Sequence, residues 1–349
     1  MTAERLGPAR IEEFRSRLLE WFRTSARDLP WRRTRDPYAI WVSEIMLQQT
    51  RVVAVLDHYA RFLNRFPTII ALALAPEDEV LALWSGLGYY RRARMLHKAA
   101  QFVAEECQGA LPTTAAALRK LPGVGDYTSA AIASIAFGEA VAVVDGNVER
   151  VVTRIAGLGL TRPGSAQPTL PKIKRIADKL LDPEHASDFN QAMMELGATT
   201  CLPRNPLCLQ CPVQQLCRTQ GEHMTAPAKK MRSVQVAYAL VRRDASSGVE
   251  VLLEQRPANS GIMPGMWELP QIDADALSPS REVLAVRHAI TQTNYYATIG
   301  EFSERELEKL SALRTARRWM TAHRLAELPL TGLARKVLKR LAILSSMKF

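Results

Sequence analysis

Apolar residues recur at helical spacing through the first part of the chain. Residues 11–22 carry apolar side chains on one face, which predicts a packed amphipathic helix. The apolar positions of that face are Ile11, Phe14, Leu18, Trp21 and Phe22. A second helical pattern begins at Ile40 and is predicted to continue to Pro67. Up to Phe137 no strand-like alternation interrupts the helical segments, so this half is predicted to be all-α.

The pattern changes after the last cysteine, Cys217. Residues 221–232 contain Gly, Pro and Lys without an apolar periodicity, which predicts a linker. Residues 234–242 and 249–255 alternate as strands do, and a Ser-Ser-Gly turn between them predicts a hairpin. Helical and strand patterns are mixed after that point. The chain of 349 residues is thus expected to hold an all-α region and a separate α+β domain.

Charge narrows the class of partner. The formal net charge is +11, which favours a polyanion such as nucleic acid. No apolar run approaches the roughly 18 residues of a membrane span, and no apolar signal-peptide core follows the N-terminus. We therefore expect no membrane association. The expected location is the cytoplasm, with the nucleoid in a bacterium, or the nucleus or mitochondrion in a eukaryote.

Residues 121–151 combine a glycine turn, a helix and a carboxylate. Gly123 and Gly125 stand just before a helix predicted to begin near Tyr127, where free N–H groups and the helix dipole suit a phosphate. An apolar run then leads to Asp145, which is followed by Gly-Asn. This arrangement resembles the helix-hairpin-helix core of the DNA glycosylase superfamily. The alternative is an ordinary helix-entry turn and an ordinary tight turn.

Glu44 is the carboxylate of interest in the second helix. It lies among Val42, Ile45 and Met46, and an apolar environment raises the pKa of a carboxyl group. Such a group can donate a proton near neutral pH. The alternative is an exposed glutamate on the outer face of an amphipathic helix.

Aromatic and basic residues cluster in residues 83–102. Gly86 and Gly88 mark a turn, Tyr89 and Tyr90 follow it, and a basic helix comes next. This combination suits stacking on bases and binding of phosphates. A solvated helix face with packed tyrosines is the alternative.

The cysteines predict a metal centre. Cys201, Cys208, Cys211 and Cys217 are four of the five cysteines in the chain, and they lie in a proline-rich loop. Without a secretion signal, disulfides are not expected. Four thiolates can hold zinc or a [4Fe–4S] cluster, and only one short C-x2-C pair is present, whereas zinc modules usually have two. Cys107, the fifth, is predicted to be packed or half-exposed at a helix end.

Together these segments, within residues 30–217, resemble the adenine DNA glycosylase (MutY) family. The resemblance implies a helix-hairpin-helix glycosylase region over residues 1–221, with a six-helix barrel at about residues 31–137 inserted into an iron–sulfur helical domain of residues 1–30 and 138–221. A linker at 222–233 and a Nudix-like lesion-recognition domain at 234–349 would follow. The cysteine spacing is the one that this family and endonuclease III use for a [4Fe–4S] cluster.

The resemblance also implies catalytic roles. Glu44 matches the general acid that protonates N7 of a flipped adenine, and Asp145 matches the ionised carboxylate that stabilises the cationic sugar or forms a transient covalent bond to it. Tyr127 and Asn147 match residues that orient Asp145 and the sugar. Such a division between two carboxyl groups is similar to the logic of retaining glycosidases.

Further positions match DNA-binding residues of the family. Arg32 and Gln191 correspond to positions near the flipped adenine, and Gln49 and Tyr89 to residues that wedge into the stack around the opposite base. Gly123 and Gly125 correspond to the phosphate-binding hairpin, which often binds a monovalent cation. The implied partner is double-stranded DNA with A:8-oxoguanine or A:G mispairs, bound by a monomer.

Tyr127 separates the main alternatives. Endonuclease III, which removes oxidised pyrimidines and nicks the strand, carries a lysine at this position, and a Schiff base needs an amine. A tyrosine predicts a monofunctional enzyme that leaves an abasic site. An endonuclease III-like pyrimidine glycosylase and a non-catalytic lesion-binding protein are the alternatives, and the presence of both carboxylates argues against the second.

The C-terminal region departs from two expected motifs. Residues 281–286 are the segment most similar to a Nudix box, but they lack its later glutamates. Pyrophosphate hydrolysis is therefore not expected. Where the family has a Phe-Ser-His turn that inspects 8-oxoguanine, this chain has Ile290-Thr291-Gln292. Thr291 retains a hydroxyl and is the candidate for that contact.

Overall fold

The computed structural model of the protein describes residues 7–158, 168–222, 230–246, 248–310 and 316–344. The chain forms two compact units. The first combines Met1–Ala73 with Lys98–Pro227, and the second combines Leu74–His97 with Ala228–Phe349. Residues 74–97 thus group with the C-terminal region, although we had assigned them to the glycosylase region. The domain limits given above remain a prediction, and most of the predicted linker lies outside the described residues.

The first unit is helical throughout its described part, which confirms the all-α prediction. Its helices, with α5 and the first part of α6 belonging to the second unit, are α1 (Pro8–Ser25), α2 (Pro37–Leu47), α3 (Val52–Arg65), α4 (Ile69–Ala73), α5 (Glu77–Trp84), α6 (Arg91–Glu106), α7 (Ala115–Leu118), α8 (Asp126–Phe137), α9 (Gly146–Ile155), α10 (Leu170–Leu180) and α11 (Ala186–Thr199). Short 3₁₀ turns occupy Pro30–Arg32, Cys208–Gln210 and Gln214–Leu216. None of the described helices is both long and apolar enough to cross a membrane.

Helices α1, α9, α10 and α11 share one apolar core. The face predicted for residues 11–22 packs into it, and Phe14 lies with its ring centroid 6.2 Å from that of Phe189. Trp21 is only partly buried at the edge of this core. A smaller cluster joins α2 to α8 through Ile40, Ala131 and Ile135. These two clusters fix the elements that carry the candidate catalytic residues.

The helix predicted from Ile40 to Pro67 is in fact two helices, so that prediction was wrong. Asp36 caps α2 by accepting hydrogen bonds from the backbone N–H groups of Tyr38 and Ala39, and α2 ends at Leu47. Gln49 then adopts a left-handed backbone with φ of +55° before α3 begins. Apolar periodicity continues on both sides of this break, and a single non-glycine residue with positive φ leaves no mark in that pattern.

In its described residues, the second unit contains two four-stranded sheets and two further helices. Its elements are β1 (Arg232–Leu240), β2 (Arg242–Ala245), β3 (Gly248–Gln255), β4 (Trp267–Glu268), β5 (Gln271–Ile272), β6 (Glu282–Ile290), β7 (Thr293–Glu301), α12 (Glu304–Leu310), β8 (Arg317–Thr321) and α13 (Gly332–Arg340). One sheet has the order β5-β1-β7-β6, and in the other β3 pairs with β2, β4 and β8. The predicted α+β character is confirmed.

The predicted hairpin has a different first strand. β1 runs parallel to β7 in one sheet, whereas β3 pairs antiparallel with the short β2 in the other. The predicted strand over residues 234–242 therefore ends at Leu240, and Arg242 already belongs to β2. Alternation shows which residues are half-buried but does not identify the partner strand, which explains the error. Residues 282–286, which belong to the segment most similar to a Nudix box, lie on β6.

Candidate active site and iron–sulfur centre

The glycine turn between α7 and α8 presents a helix N-terminus. Gly123 has φ of +74°, a left-handed conformation that favours glycine, whereas Gly125 has φ of −97° and caps α8 without a side chain. An added Cβ at Gly125 would meet open space. The first N–H groups of α8 therefore face outward beside the positive end of the helix dipole, as phosphate binding requires. The monovalent cation at this turn remains a prediction.

Glu44 is buried in α2 with 4% of its surface exposed, so the alternative of a surface glutamate is wrong. Burial raises its pKa to about 7, and the charge on Asp145 acts in the same direction. A hydrogen bond from Tyr127 and the charge on Arg32 oppose the rise. Glu44 therefore retains its proton close to neutrality, as a general acid needs.

Tyr127, in the first turn of α8, contacts this glutamate directly. Its hydroxyl donates a hydrogen bond to Oε2 of Glu44 over 2.5 Å. The resemblance paired Tyr127 with Asp145, but the hydrogen bond of its hydroxyl goes to the candidate acid. Burial and the charges on Glu44 and Asp145 raise the pKa of Tyr127 well above its usual range. The phenol therefore remains a hydrogen-bond donor.

Asp145 is the N-cap of α9. Its carboxylate accepts a hydrogen bond from the backbone N–H of Val148 over 2.7 Å and one from Nδ2 of Asn147 over 3.0 Å. Burial raises the pKa of Asp145 above its ordinary value, and these bonds and the charge on Arg150 limit that rise. The helix N-terminus also favours a negative charge here. The predicted pairing of Asn147 with Asp145 is present in the geometry.

The glycine turn at residues 123–125 and Asp145 face one open cleft. The cleft has a volume of about 510 Å³ and is lined by Gly123, Gly125, Tyr127 and Asp145, among other residues. Gln48 and Gln49 line it as well. Asp145 lines this space, which is large enough for a nucleotide-sized ligand, and Glu44 is connected to it through its hydrogen bond with Tyr127.

Arg32 belongs to an ion-pair network that we did not predict. Its Nη2 donates to Oε2 of Glu195 over 2.8 Å, and Arg27 binds the same carboxylate through Nε and Nη2, each over 2.7 Å. Glu195 is 1% exposed, and hydrogen bonds from both arginines hold its pKa at about 2 against the effect of burial. The sequence feature that could have indicated this network is Glu195 itself, a single acidic residue between Met194 and Leu196 of α11.

The other DNA-binding candidates are placed as follows. Gln191 is half-buried on α11, with Nε2 3.4 Å from Oγ of Ser187, and Gln49 is exposed. Gln48, which we had not singled out, donates from Nε2 to Oγ1 of Thr128 over 3.0 Å. Tyr89 and Thr291 belong to the second unit, and both are exposed. The roles assigned to all these residues remain predictions.

The four cysteines of the loop line a single cavity. Arg154 also contributes to its wall. Among the described residues, no three potential ligands lie close enough together to hold one metal ion. Burial and the neighbouring cysteines raise the pKa of the Cys211 thiol to about 11, so an enclosed cationic core would stabilise the thiolate forms. The sequence spacing of these cysteines, with a single C-x2-C pair, fits an iron–sulfur cluster better than a zinc module.

Arg150 connects the cysteine loop to the catalytic carboxylate. Its Nη2 donates to Oδ1 of Asn147, and its Nε donates to the backbone oxygen of Cys201, each over 2.8 Å. Gly197 lets α11 approach α9 here, because an added Cβ would lie 2.6 Å from Cβ of Asn147. The side chain of Arg150 thus bridges the partner of Asp145 and a cysteine of the loop.

Comparisons with known proteins assign these features to a family. A model of the helix-hairpin-helix-GPD superfamily of base excision DNA repair proteins matches residues 42–183, and a model of the iron–sulfur binding domain of endonuclease III matches residues 201–217. The adenine DNA glycosylase of Schizosaccharomyces pombe is 31% identical over 324 residues, which cover 75% of this chain and 70% of the yeast protein. The chain belongs to the adenine DNA glycosylase family.

Mammalian relatives are more similar in sequence but longer. The human adenine DNA glycosylase is 39% identical, with 76% of this chain and 58% of the human protein covered. The Rattus norvegicus protein is 41% identical, with 78% and 62% covered. The matched part therefore spans about three-fifths of each mammalian relative. The resemblance to this glycosylase family is confirmed.

Solved structures agree with the helical fold. A thermostable thymine-DNA glycosylase is 32% identical, with a TM-score of 0.54 and coverage of 60% of this chain and 96% of that one. A trapped endonuclease III–DNA covalent intermediate is 25% identical, with a TM-score of 0.52 and coverage of 62% and 97%. The helix-hairpin-helix region and the [4Fe–4S] cluster at the four cysteines are confirmed, whereas the Nudix-like character of the C-terminal domain remains a prediction.

Proposed function

We propose that this chain is a monofunctional adenine DNA glycosylase. It hydrolyses the N-glycosidic bond of adenine opposite 8-oxoguanine or guanine in double-stranded DNA and leaves an abasic site. The observation that carries this proposal is the pair of carboxyl groups in contrasting environments. Glu44 is buried with a pKa of about 7, whereas Asp145 caps a helix at the cleft.

The two environments divide the chemistry. The adenine leaves the base stack and enters the cleft, where neutral Glu44 donates its proton to N7 so that the departing base is neutral. The sugar then carries positive charge, which the ionised Asp145 stabilises until water adds to the anomeric carbon and its released proton returns to the Glu44 carboxylate. Asn147 orients Asp145 by its hydrogen bond, and Tyr127 holds Glu44. One acid and one anion side by side supply both requirements at neutral pH.

Substrate and partner follow from charge and relatives. The curated relatives are named adenine DNA glycosylases, and the endonuclease III neighbour was solved on DNA. The net charge of +11 and the outward-facing N-terminus of α8 suit a phosphate backbone. Tyr127 cannot form a Schiff base, which favours simple hydrolysis over strand cleavage. The enzyme acts as a monomer.

The opposite base is recognised by the second unit. Tyr89 is exposed after the glycine turn, and Thr291 is exposed at the turn between β6 and β7 with φ of +51°. The ring can stack beside the 8-oxoguanine, and the hydroxyl can exchange a hydrogen bond with its C8 oxygen or its N7 proton.

A gel assay tests this function. Duplexes with A:8-oxoguanine, A:G, thymine glycol or a G:T mispair are incubated with the protein and analysed with and without alkali. We expect strand breaks at the adenine only after alkali, and Asp145→Asn should abolish them while still binding the duplex. Release of thymine or thymine glycol without release of adenine would instead identify a pyrimidine-directed glycosylase. Breaks without alkali would contradict a monofunctional enzyme.

A further inference from the structure

Two adjacent tyrosines in the second unit have opposite environments. Tyr89 is 46% exposed, whereas Tyr90 is 4% exposed. Gly88 and Tyr89 both have left-handed backbones, with φ of +71° and +49°. This strained turn directs one ring outward and the next inward. The position of Tyr89 therefore depends on how firmly Tyr90 is held.

Tyr90, the buried tyrosine, contacts the backbone of the C-terminal region. Its hydroxyl donates to the carbonyl oxygen of Leu330 over 3.0 Å, and Oγ of Ser85 lies 3.3 Å from the same oxygen. Nε of Arg335, in α13, donates to Oγ of Ser85 over 2.8 Å. Arg335 donates to Ser85, so the single hydroxyl proton of Ser85 is left for the Leu330 carbonyl or for Oη of Tyr90, which lies 3.2 Å from Oγ of Ser85.

Leu330 is itself fixed within the C-terminal region. Its side chain is fully buried, and its backbone forms a bridge with Trp267 of β4. The backbone N–H of Thr331 donates to the carbonyl of Trp267 over 2.9 Å, and Thr331 caps α13. The carbonyl that receives Tyr90 is thus part of a sheet edge joined to a helix, not of a free loop.

The turn before Tyr89 is held from its other side. Nε1 of Trp84 donates to the carbonyl of Gly88 over 3.1 Å, and Nη2 of Arg92 donates to the same oxygen over 3.2 Å. The Arg92 guanidinium also lies 5.5 Å from the ring centroid of Tyr89. These contacts preserve the shape of the turn, and Tyr90 connects that shape to β4 and α13.

We propose that Ser85, Tyr90 and Arg335 are positioning residues for Tyr89, so that the C-terminal region governs opposite-base discrimination through residues 84–92 as well as through Thr291. This inference rests on the proposed function, since Tyr89 needs a lesion base to contact. The recognition element then consists of one compact unit formed from two distant parts of the chain. Tyr90 and Arg335 act on discrimination without touching DNA.

The test is a double-mutant cycle on the full-length protein. Single-turnover excision from A:8-oxoguanine and from A:G is measured for the wild type, Tyr90→Phe, Tyr89→Ala and the double variant. Tyr90→Phe should lower the preference for A:8-oxoguanine by about fivefold in the wild-type background and should not change it further once Tyr89 is alanine. An equal loss in both backgrounds, or no loss at all, overturns the proposal.

Tyr38→Phe is the matched control. The Tyr38 hydroxyl also donates to a buried backbone carbonyl, that of Phe66, over 2.8 Å, and it lies in the first unit. This variant loses a comparable hydrogen bond and should keep the wild-type preference. If Tyr38→Phe lowers the preference as much as Tyr90→Phe does, the effect is one of general stability and the proposal fails. Arg335→Lys should restore part of the preference that Arg335→Ala loses.

Hydrogen exchange separates this inference from the proposed function. In Tyr90→Phe and Arg335→Ala, amides of residues 84–92 should exchange faster than in the wild type, while those of α8 should not change. Unchanged exchange of residues 84–92 overturns the coupling, whatever the activity. A wild-type protein that releases no adenine from any duplex refutes the proposed function, but the exchange result still decides whether Tyr90 and Arg335 hold this turn.

Discussion

The Tyr127 hydroxyl donates a hydrogen bond to Oε2 of Glu44 over 2.5 Å, which joins α8 to the buried face of α2. A donor to a carboxylate stabilises the ionised form, so this bond lowers the pKa of Glu44 from the higher value that burial alone would cause. Tyr127 therefore sets the pH at which Glu44 loses its proton.

Tyr127→Phe should move the alkaline limb of the pH–rate profile upward. The active form of Glu44 is the acid, so excision falls as pH rises through its pKa, which is about 7 in the wild type. Loss of the hydroxyl raises that pKa further, and activity should persist to higher pH even if the maximal rate is lower. Single-turnover rates over about pH 5 to 9 measure the limb. A downward shift of the limb would contradict the assigned direction of the bond.

Glu44→Gln should combine loss of activity with a gain in stability at alkaline pH. The amide cannot protonate adenine, so excision should fall by about 10²–10⁴-fold. The folded wild type binds a proton at Glu44 more tightly than the unfolded chain does, because its pKa of about 7 exceeds the ordinary 4.5. Stability is therefore lost as pH rises from 4.5 to about 7, by about 3 kcal/mol in total.

Thermal unfolding measures this second effect. The melting temperature of Glu44→Gln relative to wild type should rise between about pH 5 and pH 8, since only the wild type must hold a buried charge at the higher pH. Glu105→Gln, which changes an exposed glutamate of α6, is the control for net charge and should show no such trend. A constant difference between Glu44→Gln and wild type would mean that Glu44 is not buried as a neutral acid.

Cysteine variants should separate the cluster from the remaining thiol. Cys208→Ser removes a ligand from the cavity, so the purified protein should lose iron and its broad absorbance at the blue end of the visible spectrum. Cys107 is half-buried after α6 and does not line that cavity, so Cys107→Ser should retain full iron content. Zinc without iron in anaerobically prepared wild type would refute the cluster.

Arg150→Gln should affect both the cluster loop and the catalytic carboxylate. The variant loses the fork that joins Asn147 to the carbonyl of Cys201, which frees Asn147 to leave Asp145. We expect excision to fall by about 10–100-fold, as for other partners that orient reactive groups, together with faster loss of iron to a chelator. Lys174→Gln removes the same charge from an exposed site on α10 and should retain its iron. Normal iron retention and normal excision rates in Arg150→Gln would show that the link from Asn147 to Cys201 contributes neither to catalysis nor to cluster stability.

The parts of the site that could be predicted from sequence are those whose reactive residues and the turns or helices that position them lie in one short stretch of chain. The glycine turn, the helix and Asp145 all lie within residues 121–151, and the cysteines have a recognisable spacing. Each of these motifs is complete within its own stretch of chain. Glu44 was recognisable because a carboxylate in an apolar turn of helix conflicts with simple patterning.

The features that escaped prediction depend on residues far apart in the chain. Arg27 and Glu195 meet although they are separated by 168 positions, and Arg335 meets Ser85 across 250 positions. Periodicity describes one element at a time and cannot show such pairs. Two local features were missed for other reasons: the break after Leu47 leaves no mark in the periodicity, and alternation does not identify β2 as the partner of β3. Point variants are consequently better tests than deletion of the C-terminal region, which would expose Ser85 and Tyr90.

Glu195→Gln tests the network behind Arg32. The neutral amide cannot balance two arginines, and about 1–3 kcal/mol of stability should be lost at neutral pH, near the lower figure because Arg27 is 39% exposed. Because the pKa of Glu195 is lowered from 4.5 to about 2, its stabilisation is full above 4.5 and disappears as pH falls to about 2. Urea unfolding should therefore show a gap between wild type and variant at neutral pH that closes in acid.

Activity provides the second measurement for the same variant. The charge on Arg32 lowers the pKa of Glu44, so movement of Arg32 away from Glu44, once Glu195 no longer holds it, should raise that pKa and move the alkaline limb upward, in the same direction as Tyr127→Phe. Glu184→Gln, an exposed change just before α11, is the control and should alter neither the unfolding gap nor the limb. A stability gap without any movement of the limb would confine Glu195 to a structural role. A limb that does not move would show that Arg32 is held in place by contacts other than Glu195, such as its stacking on Phe22 at 5.2 Å.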